Sequence, residues 1–506
     1  MNSTRTKNSI KNIKVTTFTE ISNKILAFII RTVFIKTLSA DLLGLNGLFT
    51  NILTMLSLAE LGFGTAIIFS MYKPVADGDK EKVKVLLNLY KKVYNIVGFI
   101  VFGGGLCLLP FIPYFVNGTV DANIHLVFLL FLINTTISYF FTYKRSIIIA
   151  NQEQRKISLI EFLTYLMRAI FEIIFLYLTR NFIIYLVIEI ICTFLQNLVI
   201  SIVADKSYPY ICEQSNIELP EIEKKEIFDN VKSLMVYKVG SVIMGGTDNI
   251  IMSKMINITI VGVCSNYIMI INAVKGILSQ VINSISGSIG NLNSTSDTKK
   301  KEKVFYNLTF LHFVLYLNIS VLFLSLLTPF IKIWAGKGYV LDDFTLIFLV
   351  LSIYIEGLRR PALMYRETLG IFKYGKQTPY IGTVVNIFSS IVLCKMLGVA
   401  GIFIGTSLAQ LSSYSWIDPY LIHKKVFKTS FSKYLCKTFE YAVFFLVVVL
   451  VNKVLSIFLF GGSIYMIVLK TFLNIVIINM FVVLRYLKDQ DFNNLIHLLQ
   501  RFVTKV

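Results

Sequence analysis

Long apolar stretches of about twenty residues, separated by short polar segments, make up most of the chain. A helix needs about 20 mostly apolar residues to cross the hydrocarbon core of a bilayer. The pattern therefore predicts an all-α, polytopic membrane protein with about fourteen transmembrane helices. The predicted spans are 15–37, 42–70, 91–115, 124–146, 157–178, 182–203, 230–253, 258–288, 307–333, 343–365, 379–396, 398–416, 437–459 and 463–486.

The composition supports a membrane protein and excludes a water-soluble globule. Of the 506 residues, 55% are hydrophobic and only 15% are charged, whereas soluble proteins carry about 25% charged residues. The net charge is +20. A basic chain can indicate a nucleic-acid partner, but the run Lys299–Lys301 has no aromatic platform or binding motif beside it, so no nucleic acid is expected.

The basic residues instead indicate the orientation of the chain in the membrane. An even number of spans places both termini on one side. Segments on the side of the termini carry 34 Lys and Arg residues, and segments on the other side carry 7, namely Lys36, Arg180, Lys254, Lys332, Lys337, Lys395 and Lys453. Because cytoplasmic loops carry the excess of Lys and Arg, both termini are predicted to be cytoplasmic. The external connections are short, which leaves no external domain to hold an active site.

Two weak internal matches predict a repeat. IKTLSADLLGLNGLF (35–49) resembles SKMINITIVGVCSNY (253–267), and LLPFI (108–112) resembles LLTPFI (326–331). Both matches have an offset of about 218 residues, and both halves start on the cytoplasmic side. The repeat is therefore parallel, with two pseudo-symmetric six-helix lobes followed by two extra helices.

This repeat sets the predicted domain boundaries. Residues 1–205 form the N-terminal lobe, 206–229 a cytoplasmic linker, 230–416 the C-terminal lobe, and 417–506 spans 13 and 14 with a cytoplasmic tail. One helical face of that tail is apolar, with Phe492, Leu495, Ile496, Leu499, Phe502 and Val503. The tail is predicted either to lie on the inner leaflet or to pack against the bundle.

Charged residues inside the spans are the functional candidates, because an ionised group at mid-bilayer costs about 2.5–3.5 kcal/mol. Lys24 and Arg31 share one face of span 1, Lys238 lies in span 7, and Lys275 lies at the middle of span 8. Four cations facing a central cleft would focus a positive field on an anionic ligand, for which a diphosphate is the natural match. The alternative is that these cations pair with acids such as Asp248 or snorkel to the interface.

Other intramembrane charges favour structural roles. Arg168 and Glu172 are spaced to pair within span 5, with Glu161 near the same face. Lysines near span ends often snorkel, which weakens Lys36, Lys254 and Lys470 as site residues.

Enzyme motifs are absent from the sequence. No GxxxxGK[ST], GxSxG or HExxH pattern occurs, and the six cysteines and four histidines form no metal-ligand spacing. No catalytic residue, metal or cofactor is predicted.

Two stretches carry a resemblance to a known family. LGLNGLFTNILTMLSLAELGFGTAIIFSMYKPVADGDKEKVKVLLNLYKKVYNIVG (43–98) and GIFKYGKQTPYIGTVVNIFSSIVLCKMLGVAGIFIGTSLAQ (370–410) resemble bacterial Wzx-type polysaccharide repeat-unit flippases of capsule and O-antigen export. The resemblance implies the multidrug/oligosaccharidyl-lipid/polysaccharide exporter fold and a bacterial plasma-membrane location. It implies an undecaprenyl-diphosphate-linked oligosaccharide as substrate, and a polysaccharide polymerase and other assembly proteins as partners.

The resemblance also implies roles for the buried charges. Cationic residues of the central cavity hold the diphosphate in such flippases, and Lys24, Arg31, Lys238 and Lys275 are placed in that role by helix position. Glu60 and Asp248 are the acidic candidates for H⁺ or Na⁺ coupling.

Two further function classes stay open. A MATE-like drug/cation antiporter would have about twelve spans and an acidic cavity, so fourteen spans and cationic candidates argue against it. A membrane polysaccharide polymerase or lipid-sugar glycosyltransferase would need a sizeable outer loop, which the pattern lacks.

Overall fold

The chain is helical throughout the part that the structure covers. The computed structural model describes residues 2–60, 63–213, 219–369, 371, 375, 377–458 and 463–494, and no strand occurs among them. These residues belong to two compact units, Met1–Ser265 and Asn266–Val506. The division falls inside a helix near the start of predicted span 8, while the six-helix lobe boundaries stay a prediction.

The first unit contains nine helices and the start of a tenth among the described residues. They are α1 (Asn2–Thr37), α2 (Ala40–Leu56), α3 (Phe63–Asp77), α4 (Lys80–Leu108), the short α5 (Ile112–Phe115), α6 (Ile124–Ala150), α7 (Gln154–Thr179), α8 (Phe182–Ser207), α9 (Glu221–Met255) and α10 (Ile258–Thr295). Because α9 begins at Glu221, its first turns occupy part of the predicted linker.

The second unit contains the rest of α10 and seven further helices among the described residues. They are α11 (Thr298–Trp334), α12 (Asp343–Thr368), α13 (Thr378–Leu397), α14 (Val399–Ala409), α15 (Ser415–Ile422), α16 (Ser432–Phe458) and α17 (Ile464–Tyr486). Two π-helical segments, Gln410–Tyr414 and His423–Phe427, continue α14 and α15.

Each of the fourteen predicted spans falls on helical structure, which confirms the all-α, polytopic fold. Among the described residues, 8 helical segments are long and apolar enough to cross a membrane. They are Lys80–Phe115, Ile124–Ala150, Phe182–Ser207, Ile258–Gln280, Thr298–Trp334, Thr378–Leu397, Ser432–Val454 and Tyr465–Tyr486. The other predicted spans lie on helices that carry more charge or are interrupted.

Short polar side chains start many of these helices. The side chains of Asp79, Asn123, Asn181 and Asp342 each accept a hydrogen bond from a backbone N–H in the first turn of the helix that follows. The first N–H groups of a helix have no partner within it, so such caps matter most where the helix end enters a poorly hydrated layer.

Span 2, predicted as one stretch, is interrupted. Helix α2 ends at Leu56, a 3₁₀ turn covers Ser57–Glu60, and α3 begins at Phe63. The Ser57 hydroxyl bonds the carbonyl of Leu53 and accepts a hydrogen bond from Tyr139 at 2.7 Å. These bonds satisfy polar groups near the interruption.

The tail beyond α17 is described only in part. Phe492 is buried, with its ring 6.1 Å from that of Phe310, so this member of the predicted apolar face packs against the bundle. The remaining members, in 495–506, lie outside the described residues.

Within the first unit, the two repeat-matched segments contact each other reciprocally. A Cβ at Gly44 would overlap the carbonyl of Ile258, and a Cβ at Gly262 would overlap the carbonyl of Ala40. Thr259 donates a hydrogen bond to Asp41 across the same crossing. Small residues allow the backbones of membrane helices to approach closely.

We expect Gly44→Ala to destabilise the protein, because the added methyl group meets backbone rather than a movable side chain. The expected loss is about 1–3 kcal/mol, as for overpacked cores, measured as a lower Tm in detergent. Gly103→Ala in α4 is the control, because a Cβ there meets nothing within 4 Å. Equal Tm values for the two variants would contradict the close crossing.

Candidate functional site

Helices α7 and α8 hold a buried charge cluster in the first unit. Arg168 Nε lies 2.5 Å from Glu172 Oε1, and Arg168 Nη1 lies 3.0 Å from Glu189 Oε1 on α8. Arg168 also lies within 3.5 Å of the Tyr185 hydroxyl. The predicted pairing of Arg168 with Glu172 is therefore confirmed, and Glu189 is an additional partner.

Glu161, predicted to lie near the face of Arg168, has a partner on a different helix. Glu161 Oε1 lies 2.5 Å from Arg145 Nη2 on α6, so it neutralises a cation on a neighbouring helix. The spacing of residues 161 and 168 allows a shared face within α7, but a cation on the neighbouring helix takes the carboxylate.

The two cations of α1 are both half-buried and both have polar or electrostatic partners. The charge of Arg31 acts on the phenols of Tyr165 and Tyr185, which border the Arg168 cluster. Phe34, one turn later, packs edge-on against Tyr185 with ring centroids 5.4 Å apart. Arg31 therefore lies near the tyrosines that border the Arg168 cluster, while Lys24 lies nearly two turns earlier on α1.

The candidates of span 7 lie on α9. Asp248 is half-buried and has an interaction partner. The backbone of Lys238 belongs to the same helix, and its side chain lies outside the described residues.

Glu60 lies at the interruption of span 2, beside a group of tyrosines. Tyr94 donates a hydrogen bond to Glu60 Oε1 at 2.9 Å, and the rings of Tyr94 and Tyr90 lie 4.4 Å apart. A Cβ at Gly64 would lie 2.8 Å from both of these hydroxyls, so glycine makes room for them. Interrupted membrane helices often line ion and substrate sites.

In the second unit, Lys275 belongs to a charge cluster. Its Nζ lies 2.5 Å from Glu356 Oε2 on α12, and Arg360 Nη2 lies 2.8 Å from Glu356 Oε1. The alternative of pairing with an acid on another helix is therefore realised for Lys275, because Glu356 reaches it from α12. One carboxylate is shared by two cations.

An adjacent face of α12 carries two more arginines. The guanidinium of Arg359 lies 4.3 Å from the ring centre of Tyr414, at the end of the first π-helical segment. Arg366, only 1% exposed, forms an ion pair with Asp418 on α15. Arg359 has no carboxylate within ion-pair distance in the part of the chain that is described, and its buried Nε lacks a hydrogen-bond partner there. The π-helical geometry thus places an aromatic face, rather than an acid, against Arg359.

Counted together, the charges around α12 are unbalanced. Lys275, Arg359, Arg360 and Arg366 face three carboxylates, Glu356, Asp418 and Glu367, the last of which acts on Arg360. The cluster is therefore net positive, whereas Arg168 in the first unit is met by two carboxylates, Glu172 and Glu189. An unbalanced positive group within apolar helices favours an anionic ligand.

The sequence prediction missed Arg359 and Arg360 as site residues. Both lie near the cytoplasmic end of the predicted span 343–365 and were counted as orientation signals. An acid inside that span, Glu356, four residues before Arg360, is the signal that could have identified them. No group of three or more metal-ligating side chains is placed to hold an ion among the described residues.

The sequence profile of a family described as polysaccharide biosynthesis proteins matches residues 9–286, more than half of the chain. The chain belongs to this family. No curated protein matches it in sequence.

Solved structures share the fold of this polysaccharide biosynthesis protein. The lipid II flippase MurJ, in an inward closed conformation, aligns with a TM-score of 0.66 at 14% identity, covering 94% of this chain and 99% of MurJ. An inward-facing multidrug resistance MATE family transporter of the MOP superfamily aligns with a TM-score of 0.62 at 16% identity, covering 81% and 96%. The Vibrio cholerae MATE transporter VcmN in its bent form aligns at 0.54 with 14% identity, covering 84% and 98%. The fold is thus one found in transporters.

We expect Arg168→Met to destabilise this family member, because Glu172 and Glu189 would keep buried charges without their cation. Removing one partner of a buried pair costs about 3–5 kcal/mol, seen as a lower Tm in detergent. The triple variant Arg168→Met/Glu172→Gln/Glu189→Gln should recover most of the loss. The exposed Lys92→Met is the control; a single Arg168 variant as stable as this control would contradict the pairing.

Proposed function

We propose that the protein is a flippase for undecaprenyl-diphosphate-linked oligosaccharide repeat units, rather than an enzyme. It would move them across the bacterial plasma membrane for assembly of a capsular polysaccharide, exopolysaccharide or O-antigen-type polymer. Membership of the polysaccharide biosynthesis family and a fold shared with a lipid II flippase support this proposal. The polymerase and other assembly proteins are the proposed partners.

The net positive cluster around α12 is the observation that carries the substrate assignment. A diphosphate bears at least two negative charges, and Lys and Arg both bind phosphate well. Lys275, Arg359 and Arg360 offer more cationic charge than Glu356 neutralises. Lys24, Arg31 and Lys238, which belong to the first unit, complete the proposed set of diphosphate-binding residues.

Alternating access is the proposed mechanism, in which the binding cavity opens to one side of the membrane at a time. The sequence contains no phosphate-binding GxxxxGK[ST] motif, so the energy is proposed to come from an ion gradient. Glu60, bound by Tyr94 at the interruption of span 2, and Asp248 on α9 are the proposed H⁺ or Na⁺ coupling residues. Both termini are proposed to be cytoplasmic, from the distribution of basic residues.

A MATE-like drug/cation antiporter is the second candidate, because MATE transporters share the fold. The positive charge around α12 disfavours it, since an organic cation would be repelled there. Drug resistance on overexpression, without any effect on a surface polysaccharide, would favour the antiporter.

We expect Lys275→Gln to abolish complementation of a strain that lacks its repeat-unit flippase, because the variant loses a diphosphate-binding cation. Lys275→Arg should retain activity, and so should Lys82→Gln, which removes an ion pair with Glu223 outside the cluster. Expression in the membrane must match wild type.

A double variant separates binding from simple charge pairing. Lys275→Gln/Glu356→Gln removes both members of the ion pair and leaves the net charge of the cluster unchanged. If Lys275 only neutralises Glu356, the double variant regains activity, and the binding role of Lys275 is refuted. If Lys275 contacts the diphosphate, the double variant stays inactive.

A further inference from the structure

A groove lies at one end of four helices in the second unit, apart from the α12 cluster. The C-terminal ends of α11 and α16 and the N-terminal ends of α12 and α17 surround a volume of about 770 Å³. Its wall is apolar in part, with Ile333, Leu346, Ile347, Val449, Met466 and Ile467.

Four lysines from three helices and one turn line this groove. Lys332 and Lys337 come from α11 and the turn after it, Lys453 from α16 and Lys470 from α17, with one acid, Asp343, among them. The net charge of the lining is therefore positive. Lys332, Lys337 and Lys470 form no ion pair within the described part of the chain, and the intervening residues 459–462 carry no charge in the sequence.

A layer of buried polar side chains lies at the inner part of the groove. Asn452 donates to Ser325 at 2.8 Å and to Asn474 at 2.8 Å, and Asn474 donates to Ser325 at 2.9 Å. Further along the two helices, the side-chain amide of Asn479 on α17 donates a hydrogen bond to Asn318 on α11. Hydrogen bonds between side-chain amides therefore hold α17 against α11. These contacts fix the positions of the helices that carry the lysines.

Thr328, between this layer and the lysines, has an unused hydrogen-bonding group. Thr328 lines the groove, and its hydroxyl is buried and has no partner among the described residues. Helical threonines commonly bond the carbonyl four residues earlier, and buried hydroxyls are rarely left unpaired. A ligand oxygen in the groove would satisfy this hydroxyl.

Orientation signals do not account for these lysines. Seven basic residues lie in the segments predicted to be external, and Lys332, Lys337 and Lys453 are three of them. The positive-inside rule depletes Lys from that side, so three around one groove need another cause. Snorkelling explains a single lysine at a helix end, but not the convergence of four on one cavity that also has an apolar wall.

We propose that this groove binds the phosphate or diphosphate head group of a lipid, with the lysines and Thr328 on the phosphate oxygens and the apolar wall against the chain. Phosphate chemistry is shared by two sources, the polyprenyl-diphosphate carrier and an anionic glycerophospholipid. Binding of the polyprenyl-diphosphate carrier rests on the proposed function. In that case the groove holds the head group of the carrier on the external side of the membrane.

The test is equilibrium binding to the delipidated, purified full chain, measured by native mass spectrometry. The probes are farnesyl diphosphate, dioleoylphosphatidylglycerol, inorganic pyrophosphate and the zwitterionic dioleoylphosphatidylcholine. Lys332→Gln/Lys470→Gln is compared with Lys36→Gln/Lys395→Gln, a control that removes two exposed lysines predicted to lie on the same side and outside the groove.

The groove variant should bind at least one anionic lipid about tenfold more weakly than wild type, while the control binds as wild type does. A selective loss for farnesyl diphosphate assigns the carrier, and a selective loss for phosphatidylglycerol assigns a bilayer lipid. Unchanged binding in the groove variant, or an equal loss in the control, overturns the proposal. Pyrophosphate binding as tight and as lysine-dependent as that of the lipids overturns the assignment to a lipid.

This binding assay requires no transport. A groove that fails to bind leaves the complementation result for Lys275 unaffected. Conversely, full activity of the Lys275 variants would refute the proposed diphosphate role of Lys275 while leaving phosphate binding in the groove intact.

Discussion

The cost of placing ionised side chains among apolar helices, about 2.5–3.5 kcal/mol each at mid-bilayer, governs how this protein distributes its internal charge. Arg168 is met by Glu172 and Glu189, Arg145 by Glu161, and Arg366 by Asp418, so much of the buried charge is neutralised by a neighbouring helix. Cations without a matching carboxylate are informative, because the free-energy cost of placing them among apolar helices is not offset by an ion pair. Around α12 the cations outnumber the acids, and Arg359 rests on a tyrosine ring instead of a carboxylate. An excess of this kind favours a bound anion.

The fold was predictable from the sequence because the length and polarity of each span are local properties. All fourteen predicted spans fall on helices, including the tight pair separated at Gly398, whose φ of 59° suits glycine. The break after Leu56 was not predicted, since its polar groups are satisfied by Tyr139 from a distant helix. The pairing of Lys275 with Glu356 was missed for the same reason: 81 residues separate them, and periodicity within a span cannot identify a partner on another helix.

The repeat-matched segments provide a second link between sequence and structure. Residues 40, 41 and 44 contact residues 258, 259 and 262. The second set is the first set shifted by 218 residues, which is the offset of the sequence match. Reciprocal contacts of this kind are what a two-fold relation between similar segments produces. The two glycines therefore belong both to the internal match and to a close helix crossing.

A reconstituted flipping measurement tests the central claim most directly. Proteoliposomes would contain the purified protein and a fluorescent prenyl-diphosphate oligosaccharide, with an ion gradient imposed and a membrane-impermeant quencher added outside. The account predicts that wild-type protein moves the labelled lipid between leaflets faster than protein-free liposomes, and that the neutral pair Lys275→Gln/Glu356→Gln does not. Movement of a labelled organic cation without movement of the lipid, or equal lipid movement by wild type and the neutral pair, would contradict the account.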